Sequence, residues 1–263
     1  MALAIRYAEE GYPVTPNISR LWQEAFENYS KYRDRPEFQG WFDTFAPNNT
    51  WLKPGEMFRC PEMAKTLKEI AATKGESFYR GAIAEKIDAF FKKHNGFLTK
   101  EDLAAFKPEW VDPISVNYHG VDVWELPPNG HGITVLMALQ ILKDMKLGER
   151  DCVDTMHKQI EAMKLAMVDT AQYVAEPSYM KVSVDQLLSE KYAAKRRALI
   201  NDQAIMPEPG EPGCPSTVYF CCADGEGNMV SFIQSNFRGF GSGIVVPGTG
   251  ISLNDRAENF KFD

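Results

Sequence analysis

Thr217 is the residue of this 263-residue chain whose setting most invites chemistry. It heads the apolar run Val218-Tyr219-Phe220-Cys221-Cys222-Ala223 and follows a proline- and glycine-rich segment, Asp202 to Pro215. A threonine hydroxyl is a weak nucleophile at neutral pH unless a base stands beside it. A freed α-amine on the same residue, with a reference pKa of about 7.7–8.0, is such a base. The chain must first be cut between Ser216 and Thr217. An exposed, pliable linker ahead of a buried strand suits that step. The same pattern also fits a threonine that merely begins a strand, and on chemistry alone that plainer reading is the stronger one.

The elements that would hold Thr217 change character along the chain. Apolar periodicity, glycine stops and proline starts predict helices over Ala2–Glu10, Ile18–Tyr32, Pro61–Lys74 and Gly81–His94. Arg33 to Gly55, punctuated by Pro36, Gly40, Pro47 and Pro54, reads as irregular. Thr99 followed by Glu101 and Asp102 fits a helix cap with acids near the positive helix end. Pro113–Tyr118 and Val121–Leu126 alternate as strands around a His119-Gly120 turn. The loop Pro127 to Gly132 is read as a rigid strand-to-helix turn, although amides at a helix start can also bind an anion. Helices are expected over Ile133–Met145, Val153–Ala175 and Val184–Leu199. Thr217–Ala223 and Met229–Asn236 are expected to pair antiparallel about an Asp224–Asn228 turn. Helices first and strands later point to an α+β fold.

Composition narrows the function classes. The formal charge is -7 with no basic cluster, which argues against a nucleic-acid partner. No apolar run reaches the length of a membrane span. Met1 to Ile5 is too short for the apolar core of a secretion signal, and the cellular compartment stays open. Five cysteines without regular spacing make no disulfide framework, and Cys221 and Cys222 read as small buried apolar residues. The four histidines share no ligand spacing, so no metal or other cofactor is expected. Gly239, Gly241, Gly243, Gly248 and Gly250 read as turn glycines; a phosphate loop would need a following helix.

Several motifs in order resemble the gamma-glutamyltranspeptidase family: Phe78-Tyr79-Arg80-Gly81, Leu98-Thr99-Lys100-Glu101-Asp102-Leu103, Leu126 to Gly132, the Asp224–Asn228 turn, Phe240-Gly241-Ser242-Gly243 and Gly250-Ile251-Ser252-Leu253-Asn254. The resemblance covers nearly the whole chain. It implies the N-terminal-nucleophile hydrolase αββα sandwich, here incomplete. Residues 1–216 would be the later part of a large subunit, and residues 217–263 the start of a small one. It implies an autoprocessed enzyme that cleaves between Ser216 and Thr217, forms a large/small-subunit heterodimer, and hydrolyses or transfers γ-glutamyl or related small-molecule amides. Thr217 would be the nucleophile, and Ser235 the hydroxyl that orients it. Asn236 would touch substrate, although ungapped counting puts Phe237 at that place and leaves the register open.

Two departures bear on substrate. Thr217-Val218-Tyr219 stands where the family has Thr-Thr-His. Asn259 stands before Phe260 where the family has the aspartate that holds the substrate ammonium. Asparagine accepts a hydrogen bond but carries no charge, so a glutamyl substrate loses its charge-assisted partner. Arg256, at a family substrate position, could instead pair with an acyl carboxylate. It could equally be a surface arginine paired with Glu258 or Asp255. The resemblance also implies a polypeptide roughly twice this length, with a carboxylate-binding arginine before Met1 and oxyanion groups after Asp263. The chain is thus expected to be an internal piece of such an enzyme. The alternative is an inactive fragment or pseudoenzyme that serves only as a structural or binding module.

Overall fold

The computed structural model describes residues 1–207 and 218–259. Ser216, Thr217 and the 208–215 part of the linker lie outside the described residues, as does Phe260 to Asp263. The described chain forms two compact units, one from residues 1–107 with 215–263 and the other from residues 108–214.

In the first unit α1 (Ala2–Glu10) leads through β1 (Tyr12–Pro13) to α2 (Pro16–Tyr29), with a 3₁₀ turn at Ser30–Tyr32 where one continuous helix is predicted. Thr15 caps α2 by accepting from the Ile18 amide, and Pro16 occupies the first helical position. The stretch read as irregular contains a helix, α3 (Gln39–Phe45). Phe38, Trp41, Phe42 and Phe45 recur at helical spacing and put their rings on one side, against Tyr29, Phe26 and Phe240. The flanking prolines hide that short period from a pattern reading. A Cβ on Gly40 would lie 2.2 Å from the Val245 carbonyl oxygen, so only glycine permits this helix to approach. After β2 (Met57–Phe58), which pairs with β1, come α4 (Pro61–Thr73), the short α5 (Glu76–Arg80), α6 (Ala82–Lys93) and α7 (Lys100–Ala105). The expected cap at Thr99 is a full capping box with Asp102.

The second unit opens on the hairpin β3 (Ile114–Tyr118) and β4 (Val121–Glu125), whose turn residues His119 and Gly120 both have positive φ, as a two-residue hairpin turn requires. Helices α8 (Gly132–Leu142) and α9 (Val153–Tyr173) pack together. Ile133, Met137 and Ala166 form one core, and Ile141, Leu142, Ala162 and Leu165 another. The helix expected over Val184–Leu199 is two: α10 (Val184–Leu187) and α11 (Glu190–Arg197). Ser189 ends the first and caps the second by accepting from the Tyr192 amide.

Back in the first unit, β5 (Val218–Ala223) and β6 (Met229–Gln234) form an antiparallel hairpin, with Val218 opposite Gln234 and Ala223 opposite Met229. Its expected burial is not found. Phe220 is 50% exposed and Ile233 63%, and Cys221 and Cys222 are exposed. Among the described residues the two strands pair only with each other. The unit ends in β7 (Val245–Val246) and β8 (Ile251–Ser252), an antiparallel pair. Successive strand residues point to opposite faces. Val245 therefore enters the aromatic core of α3, while Val246 joins Ile83 and Ile87 of α6.

Candidate active site

The turn between β5 and β6 is built by one carboxylate. Asp224 Oδ1 accepts from the amides of Glu226 and Asn228 at 2.9 and 3.0 Å, and its Oδ2 accepts from Asn228 Nδ2 at 2.8 Å. These bonds, led by that from the Asn228 side chain, hold the Asp224 carboxyl below its ordinary pKa. Gly227 takes the positive φ that the tight turn needs. The turn fixes the register of β5 against β6 and thereby the residues at the open end of the ladder.

At that end β6 runs into Ser235, whose Oγ accepts from the Phe237 amide at 2.9 Å. The Asn236 carbonyl accepts from the Asp255 amide at 3.2 Å, which brings the segment after β6 against the segment after β8. Asp255 Oδ1 accepts in turn from the Arg238 amide at 3.1 Å. Further along, the Ser242 amide and hydroxyl both donate to the Leu253 carbonyl, at 2.9 and 3.1 Å, and the Ser252 hydroxyl donates to the Phe240 carbonyl at 2.8 Å. The five glycines read as turn residues all have positive φ.

Phe237 is 8% exposed with φ +81°, uncommon for a bulky residue. The guanidinium carbons of Arg238 and Arg256 each lie 5.5 Å from its ring centroid, within cation–π range. Arg238 pairs with Glu258 at 2.9 Å. Arg256 is exposed, and its amide donates to Asn254 Oδ1 at 3.0 Å. Of the carboxylates that could have paired with Arg256, Glu258 is taken by Arg238, and Asp255 accepts from the Arg238 backbone. Asn259 closes the 3₁₀ turn Arg256–Asn259. Ser235, Asn236 and Arg256 thus share one region of the first unit, with Asn259 three residues beyond Arg256. Sequence reading passes over Arg238, although its position beside Phe237 is a usable signal.

Tyr29 closes the back of this region. Its hydroxyl donates to the Gly241 carbonyl at 3.0 Å. Burial, reinforced by the nearby Asp255 charge, pushes its pKa up to about 12. A cleft of about 650 Å³ lies along α2 here, with apolar walls from Leu21, Trp22 and Ala25 and polar groups from Arg238 and Asp255. Among the described residues no cluster of three His, Cys, Asp or Glu side chains could hold a metal ion, and no helix is long and apolar enough to cross a membrane.

A family profile described as Gamma-glutamyltranspeptidase matches residues 1–263. The oxamate amidohydrolase proenzyme of Klebsiella pneumoniae is 32% identical over 100% of this chain, which covers 49% of that protein. The glutathione hydrolase proenzyme of Pseudomonas aeruginosa is 32% identical over 98% of this chain and 46% of its own length. Among solved structures, a cephalosporin acylase from Bacillus halodurans superposes with a TM-score of 0.94 at 57% identity, covering 100% of this chain and 48% of that one. The chain therefore spans about half the length of the relatives it matches.

Proposed function

The chain belongs to the gamma-glutamyltranspeptidase family, and on that premise we propose that the whole protein is an autoprocessed amide hydrolase or acyltransferase whose nucleophile is Thr217. The observation that carries the reading is the pairing of Val218 with Gln234. One further pair in the same register would set position 217 against Ser235, the hydroxyl expected to orient the nucleophile. The names of the two relatives, both proenzymes, support processing.

In the first step the Thr217 hydroxyl oxygen attacks the Ser216 carbonyl carbon. The acyl group passes from nitrogen to oxygen, and the hydroxyl proton passes to the nitrogen, which becomes the amine. Water hydrolyses the ester, leaving a Ser216 carboxylate and a free Thr217 amine. In turnover that amine accepts the hydroxyl proton as the oxygen attacks the substrate amide, and the proton leaves with the departing amine. Water or an acceptor amine resolves the acyl-enzyme and restores the hydroxyl.

For the acyl group we favour one that ends in a carboxylate. Arg256 is exposed beside Phe237, and among the described residues no carboxylate is paired with it. Asn259 lacks the charge that would hold a glutamyl ammonium. The test is the full-length protein, examined by intact mass and then with glutaryl- and γ-glutamyl-anilides. Two chains are expected, the smaller beginning at Thr217, with Thr217→Ala uncut and the glutaryl compound preferred. A cut elsewhere, or an alanine variant that is still cut, overturns the nucleophile. An uncut, inactive wild type favours the binding-module alternative.

A further inference from the structure

Two arginines stand at the same distance from the Phe237 ring, yet they differ in what else they hold. Arg238 Nη1 lies 2.9 Å from Glu258 Oε1. Its backbone amide donates to Asp255 Oδ1 at 3.1 Å. Arg256 donates from its own amide to Asn254 Oδ1 at 3.0 Å. Among the described residues its guanidinium has the ring beside it and no paired carboxylate.

The carboxylates held by Arg238 are the two nearest to Arg256 along the chain. Asp255 precedes it, and Glu258 follows two residues later in the 3₁₀ turn Arg256–Asn259. Either one would compete with a substrate for the same guanidinium, because donors that already meet one carboxylate are not free to form a bidentate pair with another. Arg238 occupies both, Asp255 through its backbone and Glu258 through its side chain. Both members of the Arg238–Glu258 pair are about half exposed, so the pair adds little stability. Its effect falls on Arg256, which it relieves of a competitor.

We propose that Arg238 determines specificity as a positioning residue: by holding Glu258 it leaves the Arg256 guanidinium open to the carboxylate of the acyl group. The inference rests on the reading of Arg256 as the group that takes that carboxylate. Arg238 itself touches no reacting atom. Arg238→Gln isolates the effect. It keeps the backbone amide that binds Asp255 and removes only the charge that binds Glu258. The freed Glu258 either pairs with Arg256 or repels the incoming carboxylate. Both raise KM for a carboxyacyl substrate, and neither alters the chemical step.

The experiment compares glutaryl-anilide with butyryl-anilide, whose acyl chain ends in a methyl group, on the full-length protein. Arg238→Gln is expected to raise KM for the glutaryl compound about two- to fivefold, the size of one exposed ion pair. Its kcat for that compound, and its KM for the butyryl one, should stay as in wild type. Glu258→Gln removes the competitor and should raise neither KM. The double variant Arg238→Gln/Glu258→Gln should return KM for the glutaryl compound to the wild-type value. An ion pair that merely braced the turn would leave Glu258→Gln and the double variant as impaired as Arg238→Gln. That pattern, or an Arg238→Gln variant with unaltered KM for the glutaryl compound, overturns the proposal. Calorimetric binding of glutarate should follow the same order among the variants and needs no turnover. Arg256→Gln is run alongside. If it changes neither KM nor glutarate affinity, the reading of Arg256 has failed; if it weakens both while Arg238→Gln does not, only the role of Arg238 has failed.

Discussion

Val218 faces Gln234 across the β5–β6 ladder, and this is the last described pair before the proposed nucleophile. The relationship bears directly on Ser235, the next residue of the partner strand. If the ladder continues by one pair, the Ser235 hydroxyl is the group nearest to Thr217. Ser235→Ala should then slow both self-cleavage and turnover by about 100-fold or more, the low end for a group that assists proton transfer. Ser235→Thr keeps the hydroxyl and should retain most activity. Equal losses in Ser235→Ala and Ser235→Thr would point to packing rather than to the hydroxyl. The Phe237 amide, which donates to Ser235 Oγ, gives a packing role a specific origin.

Substrate choice should turn on Arg256 and position 259. A charge-assisted hydrogen bond is worth about 1.5–3 kcal/mol. Arg256→Gln should therefore lower kcat/KM for a glutaryl-anilide by about 10- to 150-fold and leave the processing rate unaltered. Asn259→Asp should raise kcat/KM for the γ-glutamyl compound by restoring a charge for its ammonium. Steady-state kinetics on both substrates and both variants decide the matter. A wild type that already prefers the glutamyl compound, with no gain in Asn259→Asp, would show the specificity argument to be wrong while leaving Thr217 in place.

The capping box at Thr99 and the positive-φ turn at His119-Gly120 are legible because local hydrogen bonding and glycine permissiveness decide them. Helix α3 is not, because the prolines around it dominate a reading of seven residues whose helicity depends on packing its rings under Phe240. Burial of β5 and β6 is misjudged for a related reason: apolar residues on both faces signal a covered strand, but cover is a tertiary property. The motifs single out Ser235, Asn236 and Arg256 as proposed site residues, which lie in one region of the first unit. They offer Glu258 as a partner of Arg256, whereas Glu258 pairs with Arg238. The 3₁₀ turn at Arg256–Asn259 accompanies a pairing of Glu258 with Arg238, a choice that sequence separation does not make.

Alkaline pH should loosen the first unit through Tyr29. An unfolded tyrosine titrates near 10, whereas burial and the Asp255 charge raise Tyr29 to about 12. The folded state then holds the proton more tightly than the unfolded state. Its contribution is complete below about pH 10 and is lost as the pH rises towards about 12. An ultraviolet absorbance titration should show Tyr29 among the late-ionising tyrosines, with Tyr12 and Tyr192, and Tyr29→Phe should remove one of them. The same variant loses the hydrogen bond to Gly241, about 1 kcal/mol at neutral pH. A denaturation midpoint with the same alkaline slope in wild type and Tyr29→Phe would contradict the assignment.

Gly241 offers a test of how tightly the segment after β6 is bound to the segment after β8. Its φ is +69°, and a Cβ there would lie 2.2 Å from the Leu253 carbonyl oxygen, a backbone atom that also accepts from the Ser242 amide and hydroxyl. Gly248 has φ +72° with nothing near its missing Cβ. Alanine at either position meets the left-handed backbone penalty of about 1–2 kcal/mol. Only Gly241→Ala must also push the Leu253 backbone away and weaken the bonds to Ser242. Gly241→Ala should therefore cost about 3 kcal/mol or more, against about 1–2 kcal/mol for Gly248→Ala. Paired urea unfolding curves with unchanged slope give the difference directly. Because Asn236 and Asp255 belong to the same two segments, Gly241→Ala should also reduce turnover under conditions where Gly248→Ala does not. Equal costs for the two variants would mean that this contact is not what fixes the site's two segments together.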